Sequence, residues 1–180
     1  MSAPVPIDVD PQTGIWRTDG LPMVYLPRHF LVNNHNAVAA AMGVECYRVI
    51  LRAATDKSAF DWCSATARTL NWTPEAIFRY YFQRLSQRGW GRFSVEELDI
   101  PRGSARFSLQ QSIFVLEKPC PTPVLQCYMF EGFFTGAMRY LLKVTKEPTD
   151  LICAEMRCAA DGVHDHCQFA ASQMPDVQNL

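Results

Sequence analysis

The sequence predicts an α+β fold in which N-terminal helices pack on a mainly antiparallel sheet, followed by one late helix and a C-terminal hairpin. Three observations support this prediction. Apolar residues recur at helical spacing from residue 29 to residue 88, and the period then changes to two between residues 93 and 115. A further helical segment at 125–144 separates these strands from a last pair of strands.

The composition is that of a globular protein with one core. The chain has 180 residues, of which 48% are hydrophobic and 19% charged, and its formal net charge is -1. Such a balanced charge produces no field that would attract nucleic acid or an anionic membrane. No apolar run is long enough to span a bilayer, and the proline-rich start lacks a secretory signal. We therefore expect a cytoplasmic protein with no nucleic-acid or membrane partner.

Residues 1–28 predict an irregular N-terminal arm, because five prolines and two glycines interrupt every regular period. A short strand is expected within this arm at Met23–Leu26. The remainder, residues 29–180, is predicted to form a single ligand-binding domain.

Three helices are expected after the arm. The first starts at His29 and ends at Gly43, a residue type that favours a helix C-terminus. The second occupies 45–70, and its pattern allows a break near 55–58. The third begins at Thr73, whose hydroxyl can cap a helix that has a proline and an acid in its first turn.

The strands are predicted from alternating apolar residues bounded by turn-forming residues. The expected strands occupy residues 93–98, one or two segments within 107–115, and residues 151–158 and 167–171, with the late helix at 125–144. The loop between the last two strands spans 159–166 and contains the turn-forming pair Asp161–Gly162.

The cysteines are expected to be reduced, because seven is an odd number and no export signal precedes them. Cys46 and Cys63 lie within helical patterns and are expected to be small buried apolar residues. The other five fall between Cys120 and Cys167, and this crowding needs an explanation.

Several potential zinc ligands meet at the mouth of the last hairpin. Cys158 and Cys167 bracket the loop, which contains His164 and His166, and Glu155 stands three residues before Cys158. Zinc prefers thiolate and imidazole but accepts carboxylate oxygen, and a structural site needs four such ligands in a tetrahedron. The hairpin alone can supply three of them, with the two histidines as reserve ligands.

The fourth ligand must come from another element, and Cys127 at the start of the late helix is the best candidate. One geometric objection arises, because residues three apart in a regular strand point to opposite faces. We therefore expect a bulge or a strand end between Glu155 and Cys158. On spacing alone, a second interpretation stays open: the cysteines are small buried residues and the histidines are solvated.

Two segments of the C-terminal third resemble the vinyl-4-reductase (4VR) domain. They are CYMFEGFFTGAM at 127–138 and CAEMRCAADGVHDHCQF at 153–169. That domain occurs in a bacteriochlorophyll-synthesis protein and in the sensor modules of sigma-54-dependent activators that respond to phenols and xylenes. The residues at the positions corresponding to those of the sensors are Cys127, Gly132, Gly136, Glu155, Cys158 and Cys167.

The resemblance implies that the last hairpin binds zinc through Cys127, Glu155, Cys158 and Cys167. Four protein ligands close the coordination shell, so the metal would be structural rather than catalytic. The resemblance also implies a homodimer and a mostly apolar cavity between the helical half and the sheet.

Aromatic and apolar side chains can line such a cavity for a small hydrophobic or aromatic ligand. The candidate ligand-binding residues are Phe78, Tyr81, Phe82, Trp90, Phe93, Phe130, Phe134 and Met138. They can equally form an ordinary core. Phenol itself is not predicted, because the sensors that the chain resembles hold the phenol hydroxyl with a histidine and a tryptophan, whereas this chain has no histidine between His35 and His164 and no tryptophan after Trp90.

We therefore predict a stand-alone small-molecule-binding domain, sensory or carrier, with a structural zinc site. The chain has no ATPase or DNA-binding segment, so any regulation would pass through a regulatory protein partner. The alternative is an accessory protein or a reductase-type enzyme that acts on a tetrapyrrole or another hydrophobic substrate. An enzyme of that type would have to borrow its cofactor, because no dinucleotide fingerprint is present. A third class is an interaction protein like the vesicle-tethering subunits that share the expected fold.

Overall fold

The computed structural model of the protein describes residues 5–117, 120–145 and 151–173. Within these ranges the fold is α+β, as predicted, with N-terminal helices, antiparallel sheets, a late helix and a C-terminal hairpin. No helix in the described ranges is both long enough and apolar enough to cross a membrane.

The arm contains a small antiparallel sheet of its own. Its strands are β1 (Asp8–Val9), β2 (Trp16–Thr18) and β3 (Leu21–Met23). Asp19 and Gly20 join β2 to β3, and their φ angles of 53° and 74° are those of a two-residue hairpin turn. The predicted strand at Met23–Leu26 is therefore misplaced, because pairing extends from this turn and ends at Met23.

Three helices follow, close to their predicted bounds: α1 (Arg28–Met42), α2 (Val44–Thr69) and α3 (Pro74–Gln87). Gly43 ends α1 with a φ of 86°, and Thr73 Oγ1 caps α3 by accepting from the Ala76 amide at 3.2 Å. The break allowed near 55–58 does not occur. Thr55 is buried there and donates its hydroxyl to the Leu51 carbonyl at 2.6 Å, so the helix continues without an unpaired polar group.

The main sheet has four antiparallel strands in the described residues, in the order β4-β5-β7-β6. They are β4 (Arg92–Asp99), β5 (Ser104–Gln110), β6 (Leu151–Arg157) and β7 (Cys167–Gln173). The last part of the segment predicted as strand, Ile113–Leu116, is instead a short helix, α4. Gln111, with a φ of 57°, ends the strand, and Ser112 Oγ caps the new helix.

The late helix, α5 (Met129–Thr145), starts four residues later than predicted and lies between α2 and the sheet. Gly132 and Gly136 face α2 so closely that an added Cβ would stand 2.0 Å from Thr55 Oγ1 and 2.1 Å from the Asp56 carbonyl oxygen. On the sheet side of α5, the Phe134 ring stacks on Phe107 of β5 with a centroid distance of 4.2 Å. The core therefore sits between α3, α5 and the main sheet.

Candidate functional site

Cys127 lies at the entrance to α5, where the backbone fixes its position. Its carbonyl accepts a hydrogen bond from the Phe130 amide at 2.9 Å, as at the first turn of a helix. Its own amide donates to Glu155 Oε2 at 2.9 Å. The start of α5 therefore holds the Glu155 carboxylate directly.

Glu155 and Cys158 reach the same side of β6 because the strand is irregular between them. Glu155 pairs with Phe169 and Arg157 with Gln168, so Met156 is an extra residue in a bulge. Cys158 follows the end of β6 and precedes the 3-10 turn Ala159–Asp161. The predicted bulge and strand end are both confirmed.

Cys167 is the first residue of β7, opposite Leu109 of β5. The loop before it is ordered by Asp161, whose Oδ1 accepts from the amides of Val163 at 2.8 Å and His164 at 3.0 Å. The Ala159 amide donates to Cys167 Sγ at 3.3 Å. The turn therefore supplies both a cysteine and a backbone donor to the site.

Four buried ligand atoms converge at this place, one each from Cys127, Glu155, Cys158 and Cys167, all within 4.8 Å of one another. The sulfur of Cys127 lies 3.5 Å from that of Cys167 and 3.9 Å from that of Cys158, and the last two sulfurs are 3.6 Å apart. Three thiolates around one tetrahedral zinc stand roughly 3.8 Å apart, since each Zn–S bond is about 2.3 Å. The separations therefore fit a single zinc ion.

One polar atom of the cluster has no hydrogen-bond partner among the described residues. Glu155 Oε1 is buried and makes no hydrogen bond within the described part of the chain, although Oε2 is satisfied by the Cys127 amide. A buried carboxylate oxygen without a partner is costly unless a ligand meets it. The residues present therefore fit a divalent metal, which would take the fourth bond from this carboxylate.

Burial favours the neutral forms of two groups at the site. It raises the pKa of Glu155 to about 10, with the Cys158 thiol adding to the shift, and it raises the pKa of Cys127. Hydrogen bonds from Cys127, Cys158 and the Ala159 amide instead lower the pKa of Cys167 to about 4. Without a cation, burial therefore disfavours negative charge on Glu155 and Cys127, whereas the hydrogen bonds favour the thiolate of Cys167.

The two reserve histidines lie outside the converging set. His164 Nδ1 contacts Asp161 Oδ2 at 2.6 Å, and His166 lies between Asp165 and Arg157 at 2.5 Å and 2.7 Å. Both rings are thus engaged in the hairpin loop.

The comparisons with known proteins identify a family for the helical half. A family model described as a domain of unknown function, DUF5943, matches residues 1–96, slightly more than half of the chain. The chain belongs to the DUF5943 family. The matched segment ends within β4, so it contains none of the four converging residues. No curated protein matches the sequence.

Two solved structures share the fold of this DUF5943 member. One is the phenol-responsive sensory domain of the transcription activator PoxR with phenol, at 16% identity and a TM-score of 0.73, covering 93% of this chain and 84% of that one. The other is a trafficking protein particle complex subunit 3 from Naegleria fowleri covalently bound to palmitic acid, at 11% identity and a TM-score of 0.57, covering 82% and 95%. At these identities the likeness establishes the fold, while membership of the 4VR family stays a prediction.

Sequence reasoning missed two residues that support the four converging side chains. Ser112, buried at the start of α4, places its Oγ 3.0 Å from Cys127 Sγ. Glu131 of α5 is fully buried, and one of its oxygens accepts from the Glu155 amide at 2.8 Å. An acid inside the apolar run FEGFF is a detectable signal for Glu131, whereas nothing local marks Ser112.

The remaining cysteines differ in burial. Cys63 is fully buried, as predicted, but Cys46 is exposed, so that prediction is wrong. Cys46 sits on a face of α2 that nothing in the described chain covers, and helical periodicity alone did not distinguish the two faces. Cys153 is buried but does not join the converging set.

The eight predicted ligand-binding residues of this DUF5943 chain lie in the core or at its edge. Most of their rings pack against one another, for example Phe82 with Phe134 at 5.4 Å and Phe93 with Phe130 at 5.3 Å between centroids. Tyr81 and Trp90 also line a cavity of about 520 Å³ between α2, α3 and β3. The fold therefore gives these two residues access to an open space beside the core.

Proposed function

We propose that the protein is a small-molecule-binding domain, sensory or carrier, in which a structural zinc ion held by Cys127, Glu155, Cys158 and Cys167 fastens α5 to the last hairpin. The observation that supports it best is the convergence of these four buried donors within 4.8 Å. When bound, zinc would supply cross-linking between elements rather than catalysis, because four protein ligands leave no open position. Sulfur-rich tetrahedral sites select zinc or iron over hard cations such as magnesium.

The ligand proposed for this domain is a small hydrophobic or aromatic molecule. The support is the fold shared with a phenol-responsive sensory domain, together with the dense aromatic core. The residues we propose to contact it are the eight of the sequence prediction, with Tyr81 and Trp90 foremost because they border a cavity.

A homodimer is proposed from the distribution of exposed apolar side chains. Among the described residues, 13 of the 19 large hydrophobics that are clearly exposed lie between Ile7 and Ile50. Tyr25 and Val24 are more than three-quarters exposed. Neighbouring apolar side chains with this exposure are unusual on the surface of a monomeric protein. A second copy, or a regulatory protein partner, would cover this arm and the first helices.

Metal analysis of the purified protein tests the zinc site. We expect one zinc per chain by mass spectrometry, and its loss in Cys158→Ser. Cys46→Ser is the matched control, because that cysteine is exposed and outside the cluster. A protein without zinc whose melting temperature is the same in both variants would contradict the proposal.

Two further measurements test the rest of the proposal. A thermal-shift screen of small neutral aromatics and organic acids should yield at least one stabilising compound if the domain binds small molecules. Light scattering of the full chain should give twice the mass of the chain, and Tyr25→Ser should weaken the dimer. A monomer at all concentrations would exclude the proposed dimer.

A further inference from the structure

The cavity beside Tyr81 and Trp90 has a chemical character that the proposed function does not specify. It has a volume of about 520 Å³ and lies between α2, α3 and the β3 strand of the arm. This volume is within the range of sites for small organic molecules, about 300 to 1,000 Å³. Leu21, Pro22 and Met23 of the arm form one wall of the cavity.

The cavity has aromatic walls. Trp62 and Tyr81 lie with ring centroids 5.1 Å apart, and the Trp90 ring stands edge-on to Phe133 at 5.9 Å. Tyr81 and Phe133 connect the two pairs at 6.3 Å. A planar ring entering this space would meet the faces and edges of four rings, which is the geometry that aromatic molecules prefer.

Two residues that line the cavity have buried donor atoms without a partner in the described chain. Trp62 is 7% exposed, and its indole Nε1 is buried without a hydrogen-bond partner in the described chain. Arg88 Nε is likewise buried and unpaired, and the Arg88 guanidinium lies 5.6 Å from the Trp62 ring centroid. A buried donor without an acceptor is costly, so this site calls for a molecule that brings acceptor oxygens.

The charges at the cavity favour an anion. Arg68 lines it and makes no hydrogen bond or ion pair with the described residues, whereas the acidic Asp61 is already paired with Lys57 at 2.8 Å. Arg88 contacts Asp19 at 3.1 Å, but burial still lowers the pKa of Arg88. A second anion near this guanidinium would therefore be stabilised.

We infer that this cavity binds a small aromatic carboxylate. Its ring would lie among Trp62, Trp90 and Phe133, and its carboxylate would accept from Trp62 Nε1 and face Arg88 and Arg68. The inference rests on the proposed small-molecule-binding function and specifies the class of ligand.

Matched acids and amides test the charge requirement. Benzoate, phenylacetate and indole-3-acetate are titrated by calorimetry against the corresponding neutral amides, which keep the ring and the size. We expect at least one acid to bind about tenfold more tightly than its amide, the preference of a charge-assisted hydrogen bond over a neutral one. Equal affinities for every acid and its amide would overturn the inference.

Conservative variants test the location. Arg68→Gln removes a cation that has no partner among the described residues, and it should weaken the acid about tenfold and leave the amide unchanged. Trp62→Phe keeps a ring and removes the N–H, so it should weaken the acid about tenfold and, because an amide carbonyl also accepts from this N–H, weaken the amide to a smaller extent. The controls are Trp72→Phe, which alters a half-exposed ring beside Tyr80, and Arg79→Gln, whose guanidinium pairs with Glu75 at 2.8 Å. Neither control residue lines the cavity, so neither should change the affinity.

The outcomes separate this inference from the proposed function. If a neutral aromatic binds and Trp62→Phe has no effect on any ligand, the domain binds small molecules elsewhere and the aromatic-acid site is wrong. If no aromatic molecule binds at millimolar concentration, both the inference and the proposed small-molecule function are wrong. The proposed zinc site is tested independently by metal analysis.

Discussion

Glu131 joins three parts of the molecule through one buried carboxylate. It accepts hydrogen bonds from the Arg48 side chain and from the Glu155 amide, and it lies 3.4 Å from the guanidinium of Arg52. Arg52 in turn donates to the carbonyl of Cys153 at 2.5 Å. A fully buried carboxylate is stable only when it is paired in this way, and here the pairing also fixes the backbone of a proposed metal ligand.

Replacing Glu131 by glutamine should therefore destabilise the fold. The substitution leaves two guanidiniums without their shared counter-charge, and we expect a loss of about 2 to 3 kcal/mol, below the value for a fully buried pair because both arginines keep some solvent contact. Urea unfolding at a fixed zinc concentration measures this loss of unfolding free energy. Glu45→Gln is the control, since this side chain is 83% exposed and also lies near Arg48. Equal effects of the two variants would contradict the role given to Glu131.

Ser112 should influence metal affinity in addition to the start of α4, which its Oγ caps. Its hydroxyl is 3.0 Å from Cys127 Sγ, close enough to donate to a thiolate. In Ser112→Ala we expect zinc affinity to fall about tenfold, the usual effect of removing a partner of a metal ligand. Competition with a chromophoric chelator measures this, and Ser112→Thr, which keeps the hydroxyl, should restore affinity. Unchanged affinity in the alanine variant would show that the contact is incidental.

The four converging residues were predictable because zinc chemistry restricts the residue types and the hairpin brings three of them together in sequence. Glu131 was not predicted to support the site, because its partner Arg48 lies 83 residues away and the contact exists only once α2 packs on α5. The protonation of Glu155 likewise depends on burial that no local pattern encodes.

At the scale of elements, α5 packs closely against α2. Two glycines one turn apart, Gly132 and Gly136, leave no space for a side chain between the helices. This approach positions the first turn of α5, and with it Cys127 and Glu131, relative to α2. The helix pair therefore serves as the rigid support of the proposed zinc site.

Gly136→Ala should separate these helices. The new Cβ would stand 2.1 Å from the Asp56 carbonyl oxygen, which is backbone and cannot move aside. We expect a net loss of about 2 kcal/mol in unfolding free energy, even though alanine favours a helix over glycine by about 1 kcal/mol. Ser58→Ala on the exposed face of α2 is the control, because it raises helix propensity without a clash. A stabilised Gly136→Ala variant, measured by urea unfolding, would refute the close approach.

Element boundaries show where sequence patterns were insufficient. The Asp19–Gly20 pair is a strong hairpin signal, yet the prolines around it favoured an irregular arm. Ile113 and Val115 continue the spacing of two that predicted a strand, but the positive φ of Gln111 and the Ser112 cap make this segment a helix. In both cases backbone geometry at one or two residues outweighed the periodicity of side chains.

For the whole molecule, the fold class followed from periodicity, but the strand order β4-β5-β7-β6 did not. The last strand inserts between β5 and β6, and such long-range pairing has no local signature in the sequence. It is this insertion that brings Cys167 beside Cys127 and Glu155. The proposed metal site is therefore a product of the complete topology, and metal binding there should be coupled to global stability.

The proposed zinc ion would compete with protons for the same buried atoms, and this competition would give the stability of the whole domain a characteristic dependence on pH. In the metal-free protein the folded-state pKa of Glu155 is raised to about 10 from 4.5, so the stability that this group contributes is complete below pH 4.5 and declines as the pH rises towards 10. In the zinc-bound protein the metal replaces the protons of the carboxyl and thiol groups, so zinc binds more tightly as the pH rises.

We expect the difference in melting temperature between zinc-loaded and chelator-treated protein to widen steadily from pH 6 to pH 8.5. Cys158→Ser, which lacks a ligand, should show little difference at any pH. A difference in the natural sequence that is the same at every pH would mean that zinc does not displace protons from this cluster, and the proposed ligand set would be wrong.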